Sequence, residues 1–262
     1  MSHKLAFIAA SAFGLIMAGS TAAQPVAGGD SSDQWNWTGP YAGVNVGYGR
    51  GDFRYPYAGT TDIAGTMPAS GRIRQHGSGV IGGAQVGYNF QGPGWLLLGL
   101  ETDFQGTGLS ASGSYTGTAT NGSATSGDLR SSLRYLGTVR GRIGVPVMDG
   151  RLVPYVTGGF AYGSVRNSGD FACASCGTGG TPLSGAYGAS SVHSGWTAGA
   201  GLEYGLTRHA SMKVEYLYTD LGRHNIYGPS GDLTAGGAGL YNATVDAQTR
   251  ANIVRVGLNW RF

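Results

Sequence analysis

The segment NIVRVGLNWRF, residues 252–262, decides how this chain is read. Val254, Val256, Leu258, Trp260 and Phe262 share one parity; Arg255, Gly257, Asn259 and Arg261 share the other, with only Ile253 out of character. Alternation of period two is the pattern of a β-strand with one apolar and one polar face. Such a strand ending on an aromatic residue, with no polar tail, is unusual in a soluble sandwich, where termini tend to be loose and solvated.

Working outward, the same alternation recurs. Segment 41–50 places Ala42, Val44, Val46 and Tyr48 on one face, and segment 79–90 does so with Val80, Ala84, Val86, Tyr88 and Phe90. Leu96, Leu98, Leu100 and Phe104 follow, then Leu133, Tyr135, Val139, Ile143 and Val145, then Leu152, Val156, Phe160 and Tyr162. Trp196, Ala198, Ala200, Leu202 and Tyr204 belong to segment 193–204, and Met212, Val214, Tyr216 and Tyr218 to segment 210–219. Together these are eight expected strands of about 9–11 residues, the length a tilted strand needs to cross a bilayer. Connections at 91–94, 146–151 and 205–209 are short, whereas those near 50–78, 106–129, 164–191 and 222–248 are long and rich in Gly, Ser and Thr. Short turns on one side and long loops on the other mark an outer-membrane barrel. The expected fold is therefore all-β, an eight-stranded antiparallel up-and-down transmembrane barrel with short periplasmic turns, four long extracellular loops and no substantial helix. Closure follows from membrane physics, because an open sheet would leave edge N–H and C=O groups in hydrocarbon. Trp35, Trp37, Tyr41, Trp95, Tyr155, Tyr204, Trp260 and Phe262 fall near strand ends and are expected to form an interfacial girdle.

Composition excludes the main alternatives. The chain has 50 glycines in 262 residues and only 12% charged residues. The glycines have no three-residue period, so collagen is out, and 11% aromatics argue against disorder. Past the N-terminus no apolar run approaches the roughly 18 residues of a membrane helix. Residues 1–23 read as a secretory signal peptide, with Lys4 as the positive end, Leu5 to Gly19 as the apolar stretch and cleavage after Ala23. Residues 24–36 are then a periplasmic segment and 37–262 the barrel. Removing Lys4 leaves 16 basic against 14 acidic residues, too balanced for a nucleic-acid partner. Cys173 and Cys176 form a CxxC inside a glycine-rich loop. In an oxidising compartment this reads as a candidate loop disulfide rather than a redox or zinc site.

The second face of each strand should line the lumen. It carries Glu101, Asp103, Arg134, Arg140, Arg142, Glu203, Lys213, Glu215, Arg255 and Arg261. Counted from the short turns, Glu101, Arg140, Glu215 and Arg255 reach similar heights. Charges of both signs in a confined space should pair, since unpaired they carry a large desolvation cost. An eight-stranded barrel has room for little beyond its own side chains, so these residues are read as a packed polar core rather than an ion path. Fourteen strand glycines fall on the inward parity and four, Gly82, Gly137, Gly141 and Gly158, on the outward one. A narrow barrel needs small interior residues beside large ones.

The stretches WTGPYAGVNVGYG (37–49), VGYNF (86–90), RYLGTVRGRIG (134–144), YVTGGFAYG (155–163), KVEYLYTDLG (213–222) and VRVGLNWRF (254–262) resemble the small porin-family or opacity-type outer-membrane proteins of alphaproteobacteria. The resemblance covers nearly the whole mature chain and breaks only in the long loops. It implies an OmpA-like barrel in the bacterial outer membrane, in contact with lipid and lipopolysaccharide. It also implies that Val256, Leu258, Trp260 and Phe262 form the C-terminal signal read by the barrel-assembly machinery. The role implied is structural, with surface contacts to an extracellular or host ligand through the loops. A narrow passive pore is the alternative. No cofactor or metal site is expected. GSGVIG at 77–82 matches GxGxxG but lacks the helix a dinucleotide fold requires. A lipid-modifying enzyme would need a nucleophile and base; His193 and Ser194 are adjacent, but parity sends them to opposite faces.

Overall fold

The computed structural model describes residues 35–61, 67–92, 96–118, 122–175, 178–227 and 241–262. The expected signal peptide, most of the expected periplasmic segment, Trp95 and Cys176 lie outside the described residues. The fold is all-β and antiparallel. Its strands are β1 (Gly39–Thr61), β2 (Met67–Gln91), β3 (Leu97–Thr107), β4 (Ser110–Thr118), β5 (Ala124–Gly144), β6 (Leu152–Cys173), β7 (Leu183–Gly205), β8 (Ala210–Tyr227) and β9 (Tyr241–Arg261). Consecutive strands pair, except that β3 and β4 do not pair with each other but both pair with β2 and β5, and β1 pairs with both β2 and β9, so the sheet closes on itself.

Among the described residues there are nine strands where the alternation led to an expectation of eight. Both β3 and β4 pair with β5, and the break falls at Gly108 and Leu109. Gly108 N–H still donates to Val80 O at 2.8 Å, and Leu133 N–H to Leu109 O at 3.0 Å.

The strands run well past the membrane. β1 has 23 residues and β2 has 25, whereas about 9–11 suffice to cross. Segments expected as long loops are largely continued hairpins: β1 pairs with β2 as far as Thr61–Met67, and β6 with β7 as far as Cys173–Leu183. Their Ser, Thr and Gly content reads as loop, but once the ladder is started each further pair is added with its hydrogen bonds already in register.

Facing is set by parity. Val44, Val46, Tyr48, Val80, Leu100, Phe104, Val139, Ile143, Val156, Phe160, Trp196, Val254 and Leu258 are all exposed on the outer wall. In water that surface would be untenable; in a bilayer it is the lipid-facing band. Two bulges break the parity. On β5, Leu133 faces Val165 and Tyr135 faces Ser164, leaving Arg134 as the extra residue; on β8 the register shifts between Asp220 and Arg223.

Candidate functional site in the barrel lumen

The lumen is filled in layers. Arg140 sits at the centre of the charged one. Its Nη2 donates to Glu101 Oε1 at 2.5 Å and to Asp103 Oδ2 at 2.8 Å, its Nη1 to Glu215 Oε1 at 2.9 Å, and its Nε to Thr138 Oγ1 at 2.9 Å. Arg255 closes the ring, with Nε on Glu215 Oε2 at 2.7 Å and Nη2 on Asp103 Oδ2 at 2.9 Å. Lys213 Nζ bonds both oxygens of Glu101 at 2.7 Å. Tyr41 and Tyr155 add hydroxyl donors, to Glu101 at 2.7 Å and to Glu215 at 3.0 Å.

A second cluster lies towards the short turns. Arg142 Nη2 donates to Glu203 Oε2 at 2.5 Å, and its guanidinium lies 4.3 Å from the centre of the Tyr155 ring. Glu203 also accepts from Ser211 at 2.6 Å and Asn259 at 2.9 Å. Gln85 and Asn45 extend this chain of bonds across the barrel.

Four cations, Arg140, Arg142, Lys213 and Arg255, thus meet four anions, Glu101, Asp103, Glu203 and Glu215, and none of the eight is more than 4% exposed. Balance matters here. Buried ions lose several kcal/mol of hydration each, offset only when every partner is in place. All eight residues come from the strand positions that alternation assigned to the interior.

Arg134 does not join them. The β5 bulge turns it to the outer surface, where it is exposed. Parity counted from Arg140 places it inside, because counting by two assumes no extra residue.

Three features were not foreseen from the alternation. First, an apolar layer sits above the charges on the long-hairpin side. Phe53, Ile81, Leu109, Leu133, Leu136, Val165, Leu217, Leu221 and Ile253 pack there, all buried. Leu133, expected on the outer face, and Ile253, the misfit in the C-terminal strand, both belong to it. Secondly, Trp37 is not part of a lipid girdle. It is fully buried against Leu97, Val153 and Tyr155, and its Nε1 donates to Gly150 O at 2.6 Å. Arg261 stacks 4.5 Å from the Trp37 ring centre and 5.0 Å from that of Trp35, and bonds Asn36 O and Thr207 O, each at 3.1 Å. Residues 35–38 therefore stop the mouth on the short-turn side. Thirdly, Tyr41 and Tyr155 are lumen residues rather than girdle residues. Tyr204, Trp260 and Phe262 are exposed on the outer wall.

His193 faces inward and is fully buried, with Ser191 Oγ 2.7 Å from its Nε2. Its neighbour Ser194 is exposed on the opposite face. Cys173, at the end of β6, is buried and disulfide-bonded. Among the described residues no three His, Cys, Asp or Glu side chains are placed to hold a metal ion. Val256, Leu258, Trp260 and Phe262 form one exposed apolar row along the end of β9.

A closed antiparallel sheet with an apolar outer wall and a polar, charged interior defines an integral outer-membrane β-barrel. Residues 11–262 match the family model described as outer membrane protein beta-barrel domain, and the chain belongs to that family. Its similarity to the 31 kDa outer-membrane immunogenic protein of Brucella melitensis is 35% identity over 240 residues, covering 88% of this chain and 85% of that protein. A 22 kDa outer membrane protein of Rhizobium leguminosarum is 29% identical, covering 71% of this chain and 64% of that one. Among solved structures, the outer membrane protease OmpT of Escherichia coli aligns over 86% of this chain and 97% of its own, with 13% identity and a TM-score of 0.42. The protein is located in the bacterial outer membrane.

Proposed function

We propose that this protein is a non-enzymatic structural anchor of the outer membrane, with a closed lumen and surface contacts made by its long hairpins. In this reading β3 and β4 act as one stave, so the wall has eight. The observation that carries the proposal is the stacked filling of the lumen. Three layers lie in series: the Trp37 and Arg261 plug, the charge-balanced network around Arg140, and the apolar layer around Leu217. An ion would have to part eight paired, buried charges and then cross an apolar plug, and each step has a high desolvation cost.

The rigid wall below and the extended hairpins above suit a protein that presents surface rather than passes solute. Lipid and lipopolysaccharide would surround it, the assembly machinery would read its C-terminal strand, and an extracellular ligand would meet the hairpins.

Planar-bilayer recording tests the reading. The refolded protein should show no discrete conductance steps; reproducible steps from the unmodified chain would replace the anchor with a narrow passive pore.

A further inference from the structure

The outer wall changes character abruptly at one height. Phe104 and Tyr135 lie 5.4 Å apart between ring centres and Phe160 and Tyr162 6.3 Å apart, forming the aromatic upper edge of the lipid-facing band on β3, β5 and β6. Val192 on β7, 62% exposed, continues that edge. Immediately beyond it the outward positions of β5 and β6 become Arg134, Arg166 and Arg130, all exposed. Arg166 faces Ser132 across the ladder, so Arg130 and Arg134 flank it on the neighbouring strand. Diagonal neighbours of this kind are about 7–8 Å apart. Three guanidinium groups on flexible stems therefore reach over one small patch.

Arg134 is there only because of the bulge. Without an extra residue between the Leu133–Val165 and Tyr135–Ser164 pairs, it would point into the apolar layer of the lumen. A bulge breaks ladder hydrogen bonding and re-aims a side chain. Here it keeps Leu133 inside and adds a third cation to the outer wall.

The patch is not neutralised by ion pairs, and its carboxylates stand on one side only, beyond Arg130. Among the described residues none of the three arginines is ion-paired. Asp128 and Asp170 are the nearest outward carboxylates; they lie one level further from the membrane and oppose each other across the ladder. Other cations near this height differ: Arg250 Nε bonds Asp220 at 2.9 Å, and His76 pairs with Asp52.

We infer that Arg130, Arg134 and Arg166 form a binding surface for a phosphorylated lipid headgroup of the outer leaflet. The guanidinium fork matches phosphate oxygens in bidentate geometry. Tyr162, Phe104 and Val192 below offer apolar contact to the acyl chains of the same molecule. The placement at the edge of the hydrocarbon is what selects a lipid over a soluble anion. The inference holds whether the lumen is closed or conducting.

Native mass spectrometry of the refolded full-length barrel in detergent tests it, with bisphosphorylated lipid A and its fully dephosphorylated form as probes. The wild-type protein should retain the phosphorylated form at least about tenfold better, the fold-change expected of one or two charge-assisted hydrogen bonds. The variant R130Q/R134Q/R166Q should lose that preference while keeping its heat-modifiable migration on gels, the sign of a folded barrel. Arg151→Gln, in a short turn on the opposite side of the membrane, should keep it. Equal retention of both probes by the wild type, or an unchanged preference in the triple variant, would overturn the inference.

Discussion

The two halves of the lumen close the same barrel with opposite chemistry. On the short-turn side the inward positions are Glu101, Arg140, Arg142, Glu203, Lys213, Glu215 and Arg255. On the long-hairpin side they are Ile81, Leu133, Leu136, Leu217 and Ile253. The change takes two residues along a strand, from Glu215 to Leu217 on β8 and from Arg255 to Ile253 on β9. The charged half depends on geometry: each ion needs its partners, and the set works only when complete. The apolar half depends on volume, and dispersion with area burial accumulate from many contacts. A failure in the first should therefore be abrupt, and a failure in the second graded.

Arg140→Ala is the severest break. It removes the shared partner of Glu101, Asp103 and Glu215 and leaves buried carboxylates under-compensated, which costs about 3–5 kcal/mol. Urea unfolding of the refolded protein in detergent measures it. Because the site is buried, the loss should persist at about 1 M salt, where exposed ion pairs are screened. Recovery with salt would place the network in contact with water. Leu217→Ala probes the other half and should cost about 3 kcal/mol by cavity formation. Leu217→Met keeps the volume and should cost under about 1.5 kcal/mol. If Leu217→Met proves as damaging as Leu217→Ala, shape rather than volume governs the apolar half.

The same contrast explains what was legible in the sequence. In the charged half, outward apolar and inward charged residues alternate strictly, as at Val214-Glu215-Tyr216 and Val254-Arg255-Val256, so the inward set could be read by parity. In the apolar half both faces are apolar. Tyr216-Leu217-Tyr218 and Val80-Ile81 have no contrast to read, and Ile253 looked like an error in the pattern instead of a lumen residue. Arg134 was misplaced for a different reason: a bulge adds one residue without changing composition, and nothing in SLRYLG (132–137) announces it. Trp37 precedes the first strand, so parity could say nothing of it. The length of the hairpins was hidden because Ser, Thr and Gly serve equally as loop and as exposed ladder.

Glycines sharpen the comparison between the two faces of the wall. Gly158 and Gly159 are adjacent on β6, Gly158 outward and Gly159 inward. A Cβ on Gly159 would fall 2.1 Å from Val139 O, a backbone atom that cannot move aside cheaply, whereas one on Gly158 would meet nothing nearer than Thr197 O at 3.6 Å. Gly159→Ala should cost about 1–3 kcal/mol through overpacking, and Gly158→Ala should stay within about 0.5 kcal/mol. Similar values for both would mean that the glycine excess reflects strand conformation rather than interior crowding.

A last test asks whether the plug at the base of the charged half is a separate layer. Trp37→Phe keeps an aromatic ring beneath Arg261 and most of the packing against Leu97 and Val153. It removes the 2.6 Å hydrogen bond to Gly150 O, worth about 0.5–1.5 kcal/mol net. Trp37→Ala removes the ring as well and uncovers the mouth, yet Arg140 and Arg255 above it keep their partners. Stability should therefore fall in Trp37→Ala while conductance stays at zero in both variants. Current through Trp37→Ala would make the plug the only barrier. The charged layer would then be a gated path, and the closed-lumen reading would fail at the layer that carries it.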